Sequence, residues 1–195
     1  MAVEIELKAR LDESEPIKKR LSLLGTFLHS YEKHDSYWLL ETGGGFTVRI
    51  RREKIIQNGT INETVLVTNK TKEIKDGIEI NDEQEFSVSS AELFEKLLFH
   101  TGMKLQMNKE KQGWAWHIPK TAKSPVLAEL SMVKGLGWFI ELELMTEDRS
   151  SKTIDICRKR LLSLLAELGV DREKIEDRTY SMLLAELSAK NRKND

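Results

Sequence analysis

The 195-residue chain has one cysteine, Cys157, which excludes an internal disulfide and a zinc site built from thiolates. It has no apolar run near 18 residues and no signal-peptide pattern, so the expected compartment is cytoplasmic and no membrane partner is expected. Its four histidines, His29, His34, His100 and His117, never fall at metal-ligand spacing on one strand or helix and read as structural or surface groups. A net charge of −1 gives no bulk attraction to polyanions, so nucleic acid is not an expected partner and any anion site must be a local concentration of charge. The run Gly43-Gly44-Gly45 lacks the spacing and the following helix of a phosphate loop, and it reads as a hairpin turn. There is no repeat of fixed period and no low-complexity linker, so residues 1–195 read as a single domain, long enough to bury a substantial core.

Charge is what the chain has in quantity: 32% of residues are charged, against 39% hydrophobic. That share leaves room for charges inside the fold as well as on its surface. At Glu4-Ile5-Glu6-Leu7-Lys8 apolar and charged residues alternate. In a strand, Glu4, Glu6 and Lys8 would share one face, with the two glutamates about 7 Å apart. One such stretch is an ordinary half-buried strand with a solvated side. Doublets at this spacing recur, however, and they sort by sign: Arg49 and Arg51, Lys70 and Lys72, Glu83 and Glu85, Lys109 and Lys111, Glu141 and Glu143. Solvated sheets tend to interleave opposite signs, because like charges on neighbouring positions repel. Acidic doublets suit hard divalent cations, and basic doublets suit phosphate oxygens. Both kinds inside one closed sheet would suit a metal–polyphosphate complex.

In chain order, Ser14 or Glu15 caps a helix with Pro16 in its first turn, Ile17, Leu21 and Leu24 on its apolar face, and Gly25 at its end. Strands are expected over Lys33–Leu40, Phe46–Lys54, Glu63–Thr71 and Ile78–Val88, with Asn58-Gly59 and Asp76-Gly77 as hairpin turns. Ser90 caps a helix closed by Gly102. Lys104–Glu110 and Gly113–Ile118 read as a hairpin, with Trp114 and Trp116 on one face as core or helix-packing residues. Strands over Pro125–Val133 and Trp138–Met145 follow, joined by Gly135-Leu136-Gly137. Ser150 or Ser151 caps the longest helix, and a last helix runs from about Arg178 to Ala189 before a polar tail at Lys190–Asp195. Eight or nine strands joined mostly as hairpins, with helices beside them, predict an α+β fold around an antiparallel barrel whose charged interior is wet.

These motifs resemble the CYTH family, the triphosphate tunnel metalloenzymes. Glu4-Ile5-Glu6-Leu7-Lys8 is similar to its N-terminal Glu-x-Glu-x-Lys strand. Asp35-Ser36-Tyr37, Arg49-Ile50-Arg51, Thr68-Asn69-Lys70, Glu83-Gln84-Glu85 and Lys109-Glu110-Lys111 follow its strands in order. Gly135 to Glu143 resembles its Gly-Leu-Gly-x-Phe-x-Glu-x-Glu, closest in look to the class IV adenylyl cyclase branch, and Arg178 to Leu184 resembles its C-terminal helix. The resemblance implies an antiparallel β tunnel with flanking helices, those of about 150–189 packed outside. It also implies one or two Mg²⁺ or Mn²⁺ ions and a triphosphate substrate. Two positions depart from the pattern: Ser131 stands where the family often has an Asp used on the metal, and Asn81 where it often has an Arg. Glu129 shares the face of Ser131 and is the candidate to substitute, about 7 Å along the strand.

On this reading Glu4, Glu6, Glu141 and Glu143 hold the metal and, with Lys8, form the catalytic set. Lys8, Arg49, Arg51, Lys70, Lys109, Lys111 and Arg178 bind the triphosphate; Lys72 shares the face of Lys70 and fits a place at the rim equally well. Glu83, Glu85, Tyr37, Tyr180 and Glu129 support them. The leading function is conversion of ATP to cyclic AMP and pyrophosphate. Alternatives are hydrolysis of tripolyphosphate, thiamine triphosphate or a nucleoside triphosphate, and non-catalytic polyphosphate or nucleotide binding. The oligomeric state is left open, a homodimer included.

Overall fold

The alternation at the N-terminus does build a strand, and it is the seam of a closed sheet. The computed structural model describes residues 3–41, 46–75, 77–119 and 125–191, without the side chains of 72, 75 and 191. Its strands are β1 Val3–Leu11, β2 Thr26–Leu40, β3 Phe46–Gln57, β4 Thr60–Lys75, β5 Ile78–Ser87, β6 Lys104–Ile118, β7 Val126–Val133 and β8 Gly137–Thr146. They form one closed barrel in the order β1-β5-β4-β3-β2-β6-β7-β8, antiparallel throughout. Helices α1 Glu15–Leu24, α2 Ala91–His100, α3 Ser151–Glu167 and α4 Tyr180–Asn191 surround it. The expected turns at Gly43–Gly45 and Asp76, the side chain of Lys72 and the tail from 192 lie outside the described residues.

Local chemistry explains most of the boundaries. Asn58 and Gly59 both have positive φ, 50° and 80°, the geometry of the two-residue turn whose twist matches the strands it joins. Ser90 and Ser150 cap α2 and α3 by accepting hydrogen bonds from Leu93 N and Thr153 N, each 3.3 Å. The expected hairpin at Lys104–Ile118 is instead one fifteen-residue strand, β6. The reason is tertiary: β2 pairs along almost the whole of β6, and β7 takes its other edge from Lys111 onward. Gly113 does not turn the chain. It lets β6 approach β7, because a Cβ there would collide with the Leu130 carbonyl.

The barrel keeps its apolar faces outward and buries them under helices. Ile5, Leu7 and Ala9 of β1 join Ile140, Leu142 and Leu144 of β8 beneath α3, which contributes Leu161, Leu164, Leu165 and Leu168. Ile17 and Leu21 of α1 pack into the same cluster with Trp116, while Trp114 stacks on Trp138 at 5.9 Å under Lys18. Ala91 and Leu98 of α2 cover Val48, Ile50 and Val67. A third cluster joins Val133 and Phe139 to Tyr180 and Leu183, so α4 is seated at the β7–β8 end of the barrel. With the apolar rows used outside, the inward rows are free to be polar.

Gly113→Ala is expected to destabilise the fold by about 1–3 kcal/mol in chemical denaturation, because the added methyl meets backbone of a paired strand that is not free to yield.

Candidate active site

The charged doublets, the side chain of Lys72 lying outside the described residues, turn inward and line one cavity of about 560 Å³. Nine glutamates and seven Lys or Arg side chains reach it, together with Tyr37, Leu66, Leu127 and Tyr180. Glu4, Glu6, Lys8, Arg49, Arg51, Lys70, Glu83, Glu85, Lys109, Lys111, Glu129, Glu141 and Glu143 are all on this wall. Residues from all eight strands therefore converge because each strand contributes its alternate positions to one face.

Buried charges are costly unless paired, and nearly every one here is. Asp35, itself fully enclosed, accepts Arg51 Nε and Nη2 at 2.7 and 2.9 Å and pairs with Lys109 at 3.0 Å. Burial alone would raise its carboxyl, but Lys109 and Arg51 hold it well below the usual range. Lys8 Nζ donates to Glu79 at 3.3 Å. Arg49 donates to Thr68 Oγ1 at 3.0 Å, and Thr68 in turn donates to Glu85 at 2.8 Å. Glu129 lies between Lys33 at 2.6 Å and Lys111 at 2.8 Å, which overcome its burial and hold its carboxyl well below the usual range. Lys111 also bonds Glu141.

One region is under-compensated. Glu6 stands opposite Glu143 on one side and Glu79 on the other. Among the described residues Lys70 is the cation that reaches Glu4 at 2.8 Å, Glu6 at 3.9 Å and Glu83. Glu143 pairs with no cation among the described residues. Burial, with Glu4 and Glu6 beside it, pushes the Glu143 carboxyl up to about 8. Burial also raises Glu4, to about 7, with Lys70 opposing and Glu6 and Glu83 adding to the rise.

Hard carboxylate oxygens that repel one another in a buried site are what a divalent cation relieves, so Glu4, Glu6 and Glu143 fit Mg²⁺ or Mn²⁺. Among the described residues no three ligand groups are yet gathered at metal-holding distance, and Glu141 is engaged by Lys111.

Arg178 departs from its expected role. It is not on the cavity wall; it clamps Glu176 at 2.7 Å through Nη2 and Nε, and reaches Glu186 at 3.0 Å. Arg10 holds the other side of Glu176 at 2.8 Å, and Glu176 N bonds Lys8 O at 2.9 Å. This cluster ties the start of α4 to β1, and the Glu176 carboxyl falls to about 2, chiefly through Arg178. Tyr180, next along, does reach the cavity, with the ammonium groups of Lys8 and Lys109 about 5 Å from its ring centroid, 4.8 and 5.0 Å. Four charged wall or sub-wall residues escape the sequence assignment: Lys33, Asp35, Glu53 and Glu79. The signal for them was parity, since each lies two positions from an assigned or motif residue on its strand. Asn81 donates to Glu4 at 2.8 Å, and Ser131 is fully buried.

Residues 2–180 match the model of the CYTH domain. The chain belongs to the CYTH family. Among solved structures, this CYTH protein is similar to the PH1819 protein of Pyrococcus horikoshii OT3, with 26% identity over 94% of this chain and 98% of that one, at a TM-score of 0.76. It is similar to a candidate adenylate cyclase from Vibrio parahaemolyticus, with 16% identity over 93% and 97%, at a TM-score of 0.72. It is also similar to HpAC1 from Hippeastrum, described as a candidate adenylyl cyclase with a dominant triphosphatase activity, with 15% identity over 87% and 89%, at a TM-score of 0.59. The last two likenesses establish the fold alone. No curated protein sequence matches the chain. Among the described residues no helix is long and apolar enough to cross a membrane.

Two expectations follow. An unfolded Glu carboxyl releases its proton near 4.5, whereas folded Glu143 and Glu4 hold theirs to about 8 and 7. Between those values the folded state carries the extra protons, so their contribution to stability falls as pH rises. In thermal melts of metal-free protein, stability should therefore drop between about pH 5 and 8, and Glu143→Gln should flatten that drop. Arg178→Ala should lower the melting temperature while leaving the affinity for tripolyphosphate, measured by calorimetry, unchanged.

Proposed function

We propose that this CYTH domain, spanning 1–195, is a divalent-cation-dependent enzyme acting on a triphosphate chain held inside its barrel. One observation carries the reading: a closed interior sets an under-compensated carboxylate group, Glu4, Glu6 and Glu143, against the cations Lys8, Arg49, Arg51, Lys70, Lys109 and Lys111. Without substrate those cations are occupied by Asp35, Glu79, Glu83, Glu85, Glu129 and Glu141. A triphosphate exchanges these partners for its own oxygens. Arg49 and Arg51 grip them through planar forks, and the lysines act as point charges. Mg²⁺ or Mn²⁺, when bound at the carboxylates, neutralises phosphate charge and lowers the barrier to attack at phosphorus.

The leading reaction is the adenylyl cyclase one. The ribose 3′-hydroxyl attacks the α-phosphorus, its proton is lost, and pyrophosphate leaves. The resemblance of Gly135–Glu143 to the class IV branch supports it, as does a 560 Å³ cavity whose wall includes the apolar groups of Tyr37, Leu66 and Leu127. The second reading is triphosphatase, with water attacking the terminal phosphorus, and it is favoured by the largely ionic character of the wall.

Product analysis with ATP, tripolyphosphate and thiamine triphosphate, each with Mg²⁺ and with Mn²⁺, separates the reactions. Cyclic AMP identifies the cyclase and orthophosphate the triphosphatase. Binding without turnover on all three leaves a polyphosphate-binding protein. Glu6→Gln is expected to lower kcat by orders of magnitude without rescue by added substrate, whereas Arg51→Ala should act mainly by raising KM.

A further inference from the structure

The acidic groups inside the barrel fall into two sets that are compensated differently. Across β2 and β6, Lys33 stands opposite Lys111; across β7 and β8, Glu129 stands opposite Glu141. Each pair alone would be unfavourable, since like charges directly opposite repel. Together they interlock. Lys33 Nζ lies 2.6 Å from Glu129 Oε1, and Lys111 Nζ lies 2.8 Å from Glu129 Oε2. Lys111 bonds Glu141 as well, and Lys33 is 3.5 Å from Glu53. Both oxygens of Glu129 are thus taken by ammonium groups, and Lys33 is itself buried. Among the described residues the set at Glu4, Glu6 and Glu143 is met by Lys70, which pairs with Glu4 and Glu6 and is shared with Glu83.

We propose that Lys33 and Lys111 form a built-in counter-ion pair that takes the place of a second divalent cation, so that this barrel holds one such ion, at Glu4, Glu6 and Glu143. The inference rests on the metal-dependent reading given above. An ion brought to Glu129 would have to displace an ammonium or sit beside two of them. It would also gain no further carboxylate from the same row, because the next inward position of β7 is Ser131, neutral and fully buried. Lys33 and the neutral Ser131 act in the same direction: both leave this end of the cavity more positive and less able to hold a metal. Lys33 is therefore a positioning residue, which fixes Glu129 between itself and Lys111.

The test is Mn²⁺ stoichiometry of the chelator-stripped full chain, followed by the paramagnetic resonance signal of free Mn²⁺, with no substrate present. Wild type is expected to bind one Mn²⁺ per chain. Lys33→Met, which keeps length and removes charge, is expected to bind two, and adding Glu129→Gln to it should return the count to one. Lys33→Gln should behave as Lys33→Met does and serves as the variant read if the latter does not fold, folding being checked by thermal melting. A count of two in wild type, or of one in a folded Lys33→Met or Lys33→Gln, overturns the inference and leaves the metal-dependent reading standing. No bound Mn²⁺ in wild type or in either variant overturns both together.

Discussion

Placing rows of like charge inside a closed sheet is the constraint on which everything else in this protein depends. A buried ion costs several kcal/mol unless another charge and good hydrogen bonds compensate it. The barrel meets this condition across strands rather than along them. Doublets of one sign on a strand are met by the opposite sign on a neighbouring strand or on a strand across the cavity. Asp35 between Arg51 and Lys109, and Glu129 between Lys33 and Lys111, are the clearest cases. The sorting that would be a liability on a solvated sheet becomes a lattice of ion pairs once the sheet closes.

The same constraint fixes where the hydrophobic core must lie. With the interior given to charge, apolar burial has to come from the outer face, and the helices are there to supply it. The cluster under α1 and α3 is the largest, and it sits against β1, β7 and β8, behind the carboxylates proposed to hold metal. Removing a fully buried leucine from that cluster, such as Leu161 or Leu164, would cost about 2–5 kcal/mol and would loosen the strands that aim Glu4, Glu6 and Glu143. α4 has a different task. It is tied to β1 by the Arg10–Glu176–Arg178 cluster and puts Tyr180 against the cavity, so one wall of the site is helix rather than sheet.

Where compensation is incomplete, the protein is prepared for a ligand. Among the described residues Glu143 has no paired cation and Glu4 shares one, and both carboxyls are held above their ordinary range by burial and by neighbouring glutamates. The shortage is of positive charge, since Lys70 divides itself among Glu4, Glu6 and Glu83. A polyanion accompanied by a divalent cation would improve both halves of this arrangement at once. A monovalent anion would improve neither by much, because it answers only one of the cations.

Sequence by itself determined the strand faces. A side-chain period of two is local, so Glu4, Glu6, Arg49, Arg51, Lys70, Glu141 and Glu143 could be placed on shared faces from their spacing, and the turn at Asn58-Gly59 and the serine caps of α2 and α3 are equally local. Spacing could not say which inward residues would meet. That depends on register between strands far apart in the chain, so Lys33, Glu53 and Glu79 gained their partners only when β2, β3 and β5 were set against their neighbours. It could not say that β6 runs straight through Gly113, because the pairing of β2 and β7 on its two edges overrides a glycine that looks like a turn. Nor could it assign Arg178, whose motif looked like part of the site. Its guanidinium goes to Glu176 because the segment after α3 docks on β1, and that is a contact between residues more than a hundred and sixty apart, Arg10 and Glu176, which only the folded chain brings together.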